Sequence, residues 1–384
     1  MSKKPVVVID SGYYSLSDDS IEGVGLRLSE IAQALSRRYT VQIIARHTDN
    51  PVHVGDAEIV SGEGAAERAI AAADAVMFFD TANRDNVERA VAHRKLIIGE
   101  CRAPIEHMHF PSVLNHDDPT GEHQQFLNTY RRQLEVSHHF ICRSRSERMA
   151  FLPALCAAGR IRPADLERSR TLDHLISTVP VGYSRHSAEL ADRAPATHKA
   201  DFLWTGGVWS WYEPLMFVEA LHMLRKRGVD ATATFLYGVP VADSRELLAA
   251  VADRIEQFGL TDRVTINDQR IPLSERDQYL KAAKAYVCVS KPGAENETGI
   301  RLRLRDSYLY GIPSIVDGFG LTGDLVAADN LGIVLPEPSA ETLADALQEV
   351  ASGGFGLKSR HADSAYEDAL VPFMEWLDSE LADK

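Results

Sequence analysis

Between Ser290 and Asp306 the chain gathers Lys291, Glu295, Glu297, Arg301, Arg303 and Arg305, and the stretch closes on Gly311-Ile312-Pro313. Cations at that density neutralise an anion, and an acidic side chain among them accepts hydrogen bonds from hydroxyls. A departing diphosphate next to a ribose or a sugar needs both, which is the demand that glycosyl transfer from a nucleotide sugar would set. An exposed helix laced with its own ion pairs has the same composition. On a helix over 300–310, Arg301 and Arg305 stand one turn apart, with Asp306 on an adjoining side.

Two glycine turns offer a second kind of contact. Gly23 and Gly25 flank Val24 where a helix opens after the first apolar run, so a phosphate can approach backbone N–H groups at the positive helix end. The turn is not the dinucleotide fingerprint, because the third glycine is missing, and a plain tight turn reads equally well. Gly206 and Gly207 follow the apolar run 202–204 directly, amid Trp204, Trp209 and Trp211, whose rings would wall a cleft, stack on a ligand ring or anchor a domain seam. Glu106, His107 and His109 follow another strand near Pro104 and are candidates for contacts to donor or acceptor hydroxyls. His138 and His139 sit inside a strand and read as packing residues, and Asn115 to Pro119 reads as a turn, so no metal is assigned. The motifs of a serine nucleophile elbow, a Walker loop and a zinc-binding His-Glu-x-x-His are absent.

These residues need elements that carry them to one end of a sheet. Short apolar runs at 6–10, 41–45, 75–79, 96–99 and 139–142 read as buried parallel strands, alternating with helical periodicity at 64–73, 84–93 and 146–158. A second series follows, with strands at 202–204, 232–237, 264–266, 286–289 and 314–316 and helices at 213–227, 244–258, 274–283 and 300–310. The expected architecture is α/β, two doubly wound Rossmann-like domains facing across a cleft. Residues 1–185 form the first, polar residues 186–200 a linker, 201–360 the second, and 361–384 a helical segment whose Phe373, Trp376 and Leu377 pack back toward the first. In such sheets ligands bind at the carboxyl ends of strands, where the motifs above fall.

Bulk properties narrow the classes further. A length of 384 residues exceeds one ordinary core, and 45% hydrophobic with 25% charged residues is the composition of a globular protein. With 55 acidic against 41 basic side chains and a net charge of -14, most of the surface repels a nucleic-acid polymer or an anionic membrane. Four scattered cysteines, Cys101, Cys142, Cys156 and Cys288, fit a reducing compartment, and the expected location is the cytoplasm. The opening residues read as a short basic start and a strand rather than a signal peptide, and no apolar run of about 18 residues occurs, so any membrane contact is peripheral.

Three blocks then carry a likeness. They are Phe140 to Arg148 continuing to Ala158–Pro163 and Val179–Gly182, Trp204 to Pro214, and Ile271 to Pro313, joined by the Gly23-Val24-Gly25 turn. In this collinear arrangement the chain resembles bacterial GT-B glycosyltransferases of family four, in a branch with a tryptophan-rich loop opening the second domain. The resemblance implies a nucleotide sugar bound mainly by the second domain, retention of anomeric configuration, and no obligatory metal or cofactor. It places the ribose on Asp306, the sugar on Glu297, and the diphosphate on the N–H groups of Thr298 and Gly299, with Gly23 and Gly25 across from the phosphates. Two departures follow. Glu297 and Asp306 stand nine apart where the family has eight, and the family's Arg and Lys after the second domain's first strand are replaced by Val208 to Tyr212. Diphosphate neutralisation then falls to Lys291, Arg301, Arg303 or Arg276.

The resulting expectation is a retaining transfer of a sugar from a nucleoside diphosphate to a soluble carbohydrate or natural-product acceptor, with the leaving phosphate taking the acceptor proton. A sugar-nucleotide epimerase, a degenerate transferase that binds nucleotide or a partner, and transfer of a cyclitol in place of a sugar stand as alternatives.

Overall fold

The computed structural model describes residues 4–101, 111–239, 244–357 and 360–382. They divide into two compact units, the first running to Ser187 and taking back the chain from Asp363 onward, the second built on Ala188–Ala362.

Among the described residues the first unit has seven parallel strands, β1 (Val6–Asp10), β2 (Thr40–Ile44), β3 (Glu58–Val60), β4 (Ala75–Phe79), β5 (Leu96–Glu100), β6 (His139–Cys142) and β7 (Ile176–Thr178). Their order is β3-β2-β1-β4-β5-β6-β7, with Val7 level with Val41 on one side and Ala75 on the other. The chain reverses its winding between β1 and β4, because β2 lies to one side of β1 and β4 to the other. Continuous apolar sequence in the central strands is explained by burial on both faces. Val8, Val76, Phe78 and Ile97 form one core cluster with Ile70 and Val87 from the covering helices.

The second unit repeats the plan with β8 (Phe202–Gly207), β9 (Ala233–Tyr237), β10 (Val264–Ile266), β11 (Ala285–Cys288), β12 (Ser314–Asp317) and β13 (Gly332–Leu335), ordered β10-β9-β8-β11-β12-β13. Its reversal falls between β8 and β11, which pair at Leu203 and Tyr286. Trp204 is completely buried and packs on Phe217 and Phe235, so this tryptophan is a core residue.

The structure departs from the expected elements in two places that bear on the site. The polar stretch read as a linker carries helix Arg185–Arg193, which buries little beyond Ala191, and the division between units falls within it. The helix expected over 300–310 begins only at Leu304, after a short helix Ala294–Thr298 and an extended Gly299. Arg301 and Arg303 therefore precede the helix, and the one-turn relation of Arg301 to Arg305 does not arise.

The returning C-terminal segment is bound into the first unit. Helix Val371–Ala382 buries Phe373 and Leu377, and Trp376 stacks on His139 with ring centres 3.8 Å apart. Ahead of it, Tyr366 is buried with its hydroxyl accepting from Arg27 Nη1 at 2.8 Å and from the Gly182 N–H at 3.1 Å. Arg27 also donates to Glu100 at 2.8 Å and to the carbonyls of Val179 and Pro180 at 2.7 Å each. Such a buried cation is tolerated because nearly all of its five N–H groups have acceptors. Among the described residues no helix is long and apolar enough to cross a membrane.

Candidate functional site

In an open α/β sheet the loops leaving adjacent strands in opposite directions part at the reversal point and leave a crevice. In the second unit those loops are residues 208–213 after β8 and 289–296 after β11. They are fastened together: the N–H groups of Glu213 and Lys291 donate to the carbonyls of Val289 and Trp211 at 3.0 and 2.9 Å. Lys291 Nζ donates to Ser210 O at 2.7 Å, and Asn296 Nδ2 donates to Lys291 O at 2.7 Å. Lys291 thus uses one of its three ammonium N–H groups to hold the tryptophan-containing loop.

Both glycines that end β8 make room for side chains. A Cβ on Gly206 would fall on the Arg303 guanidinium, and one on Gly207 would come within 2.6 Å of the Trp209 indole nitrogen. The diglycine therefore lets a cation and an aromatic ring lie flat against the strand end. Trp209 and Trp211 stack in parallel planes with centres 5.4 Å apart, and both are half-buried.

The arginines sit over the buried ring of Tyr212, Arg303 with its guanidinium carbon 4.5 Å and Arg301 5.1 Å from the ring centre. Cation–π attraction of this kind holds a guanidinium without consuming its N–H groups. Arg303 Nη1 and Arg301 Nη2 are enclosed and have no hydrogen-bond acceptor, and Thr205 Oγ1 toward the end of β8 and Asn296 Oδ1 in helix Ala294–Thr298 are also unpartnered. Asp317, at the end of β12, accepts from the Ser290 N–H at 2.8 Å, and burial pushes its carboxyl above the usual range. The four unpartnered groups, on the segments around the carboxyl ends of β8 and β11, have hydrogen bonds left for water or a polar ligand to complete.

The remaining residues singled out in this unit have other occupations. Asp306 is fully buried and accepts from Arg276 at 2.9 and 2.7 Å, one bond to each carboxylate oxygen, with Arg305 3.4 Å away. The ribose expected on Asp306 and the diphosphate expected on Arg276 thus meet a closed ion pair in this structure. The Gly299 N–H donates to Glu295 O at 2.9 Å and completes the preceding helical turn, and Thr298 Oγ1 bonds back to Ala294 O at 3.0 Å. Glu297 is exposed on helix Ala294–Thr298.

In the first unit, helix Gly23–Ser36 opens at an exposed Gly23 with no side-chain cap. Gly25 has a packing reason of its own, since a Cβ there would stand 2.6 Å from the Ser15 carbonyl. His139 is buried in β6, as expected of a packing residue, and Asp118 in the expected turn caps helix Pro119–Val136. Glu106, His107 and His109 lie outside the described residues. Asn296, Thr205, Tyr212 and Asp317 were not singled out in the sequence; for Tyr212 the signal was available, an aromatic residue adjoining a diglycine and two tryptophans.

Residues 199–352 match the family described as "Glycosyl transferases group 1". Among solved structures the chain is similar to sucrose-phosphate synthase from Thermosynechococcus elongatus, with a TM-score of 0.59 at 12% identity, covering 99% of this chain and 100% of that one. Anabaena HepE in complex with UDP gives 0.57 at 14% identity, with coverages of 99% and 100%. The UDP-forming α,α-trehalose-phosphate synthase from Burkholderia vietnamiensis gives 0.56 at 10%, with coverages of 99% and 98%. A comparison with curated protein sequences finds no match. At these identities the likeness is one of architecture, and the chain has the GT-B fold, two Rossmann-like α/β domains, with its match to group 1 glycosyl transferases on the second.

Proposed function

We propose that this protein is a retaining glycosyltransferase of family four that moves a sugar from a nucleoside-diphosphate donor to an acceptor hydroxyl. The observation that carries the reading is the pair Arg301 and Arg303, each with an enclosed guanidinium nitrogen lacking an acceptor at the reversal point of the second sheet. An enclosed donor left unmade costs about 1–3 kcal/mol, and a diphosphate oxygen is the acceptor that recovers it. Because the family's Arg and Lys after β8 are replaced here, these two supply from the β11 side the charge that the leaving group needs. The guanidiniums take the place of a metal, so magnesium is not expected to be required.

In this reading Arg301 and Arg303 hold the diphosphate as the sugar develops positive charge, and that interaction strengthens as the bond breaks. Lys291 acts through the loop it clamps, and Glu297 reaches sugar hydroxyls. The leaving phosphate takes the acceptor proton, and attack on the same face preserves the anomeric configuration. The Asp306 and Arg276 roles in ribose and diphosphate binding go together, since either becomes available only when their pair opens. Gly206 and Gly207 shape the donor site; Gly23 offers an N–H to the phosphates, whereas Gly25 serves packing. Acceptor contacts by Glu106 and His107, a catalytic role for His109, a soluble acceptor and a cytoplasmic location complete the proposal. Uridine is the first base to try, because a similar fold is described with UDP and with UDP-glucose.

The test is a thermal-shift screen with UDP, GDP, dTDP, ADP and CDP, with and without magnesium, followed by NMR of the product anomer. One nucleotide is expected to raise the melting temperature without metal, and Arg303→Ala to weaken its binding about tenfold to a hundredfold, the value of a charge-assisted hydrogen bond. No shift with any nucleotide removes the reading. The closed Arg276–Asp306 pair favours one second reading, a nucleotide-binding protein without transfer, which would shift with nucleotide yet release none from any sugar donor.

A further inference from the structure

A hollow lined by both polar and apolar side chains lies wholly within the first unit, at the carboxyl ends of β1 and β2. It encloses about 270 Å³ and is lined by Asp10, Gly12, Tyr13, Arg46, Asn83, Asn86 and Arg89 among others. That volume lies near the lower end of the range for small-molecule sites, roughly 300–1,000 Å³, and suits a single sugar unit.

The lining is a built arrangement. Asp10 is buried at the end of β1, with Oδ1 accepting from the Gly12 N–H at 3.0 Å and Oδ2 from Asn86 Nδ2 at 2.9 Å. Asn86 is oriented in turn by Arg89, whose Nη1 donates to Asn86 Oδ1 at 2.7 Å and whose Nε meets Glu67 at 3.1 Å. A carboxylate has about four lone-pair directions, so Asp10 retains acceptor capacity for a hydroxyl. Burial pushes its carboxyl above the usual range, against the hydrogen bonds from Asn86 and Gly12, which lower it. Asn83 Oδ1 caps helix Arg84–Ala92, which leaves its amide N–H groups for a ligand.

Arg46 supplies the charge. It is exposed, its guanidinium stands 5.8 Å from the centre of the Tyr13 ring, and no carboxylate lies within ion-pair distance of it among the described residues. Glu67 is already balanced by Arg89 and by His93 at 2.8 Å, and Asp49 by His47 at 3.3 Å. The Tyr13 ring is 65% exposed, a flat apolar face beside a free cation.

We propose that this hollow binds a monosaccharide unit carrying a phosphate or carboxylate group, with Arg46 on the anionic group, Asp10 and Asn83 on hydroxyls, and Tyr13 under the ring. Its role as the acceptor site rests on the transferase reading; the binding does not. Equilibrium binding of glucose 6-phosphate, glucuronate, glucose and inorganic phosphate to the full chain tests it, with UDP as a separate ligand. The two anionic sugars are expected to bind at least tenfold more tightly than glucose or inorganic phosphate, and Arg46→Ala to reduce them to the level of glucose while UDP binding stays unchanged. Arg46 is exposed, so the variant folds. Anionic sugars that bind no better than glucose, inorganic phosphate that matches glucose 6-phosphate, or an Arg46→Ala variant with unaltered affinities overturns the proposal. Failure of the wild type to bind any of the five nucleotides, with the sugar preference intact, would instead sink the transferase reading and leave this site standing.

Discussion

At the scale of single residues, the second unit separates enclosed nitrogens without an acceptor from cations that already hold a partner. Arg301 and Arg303 have unpartnered nitrogens, whereas Lys291 holds Ser210 and Arg276 holds Asp306. Gly206→Ala should therefore behave like Arg303→Ala, because its new methyl group displaces the guanidinium; titration with the nucleotide found in the screen should show at least a tenfold loss of affinity for both. Asp306→Ala has a different expected signature. It leaves the buried Arg276 cation unpaired, which costs about 3–5 kcal/mol, so chemical denaturation without any ligand should show the loss. An Asp306→Ala variant as stable as wild type would mean that the pair contributes nothing to folding. The sequence showed which residue types crowd after β11, and Arg301 and Arg303 were singled out from it. It did not show how they divide the work, because Arg276 and Asp306 are thirty positions apart and meet only through packing of helix Leu273–Leu280 against helix Leu304–Tyr310.

Elements carry a second set of consequences, and β6 has the clearest. His139 donates from Nδ1 to the His174 carbonyl at 3.1 Å, and in the neutral ring Nε2 accepts from the Ser177 hydroxyl at 2.8 Å. Burial lowers its pKa to about 4 from 6.5. The unfolded chain therefore takes up a proton at this residue below pH 6.5 while the native state resists until about pH 4. Its contribution to stability is complete above the higher value and declines as pH falls through the window, by about 3 kcal/mol in all. Denaturant melts at pH 7.5 and about 4.5 should show this slope, and His139→Gln should flatten it; an unaltered slope would place the proton uptake elsewhere. The same strand explains what was legible. Central strands such as β1, β4 and β5 are buried on both faces and read as continuous apolar runs. The edge strands β3, β7 and β13 passed unnoticed, because Glu58–Val60, Ile176–Thr178 and Gly332–Leu335 are three or four residues long and most of their side chains are only partly covered. Helix Pro119–Val136 was missed for a related reason: it buries only Gln133 and Leu134, so its apolar spacing carries little signal.

On the scale of the whole molecule, the two-domain architecture followed from alternating strand and helix patterns, while the particular contacts of the last residues, expected to pack back toward the first domain, needed the structure to define them. Tyr366, Phe373, Trp376 and Leu377 complete the first unit's interior, and Arg27 finds one of its acceptors only there. Deleting the chain from Asp363 onward is expected to unfold the first unit selectively, leaving a protease-resistant fragment that begins near Ala188. Limited proteolysis followed by mass spectrometry checks this; a truncated chain with both halves resistant would contradict it. The same arrangement bears on biosynthesis. All but a four-residue segment of the second unit is one continuous stretch, Ala188–Ala362, which is whole as soon as its last residue clears the ribosome, whereas the first waits for helix Val371–Ala382 to be made. During translation the half synthesised first is therefore the half finished last, and its incomplete interior is what a chaperone would meet.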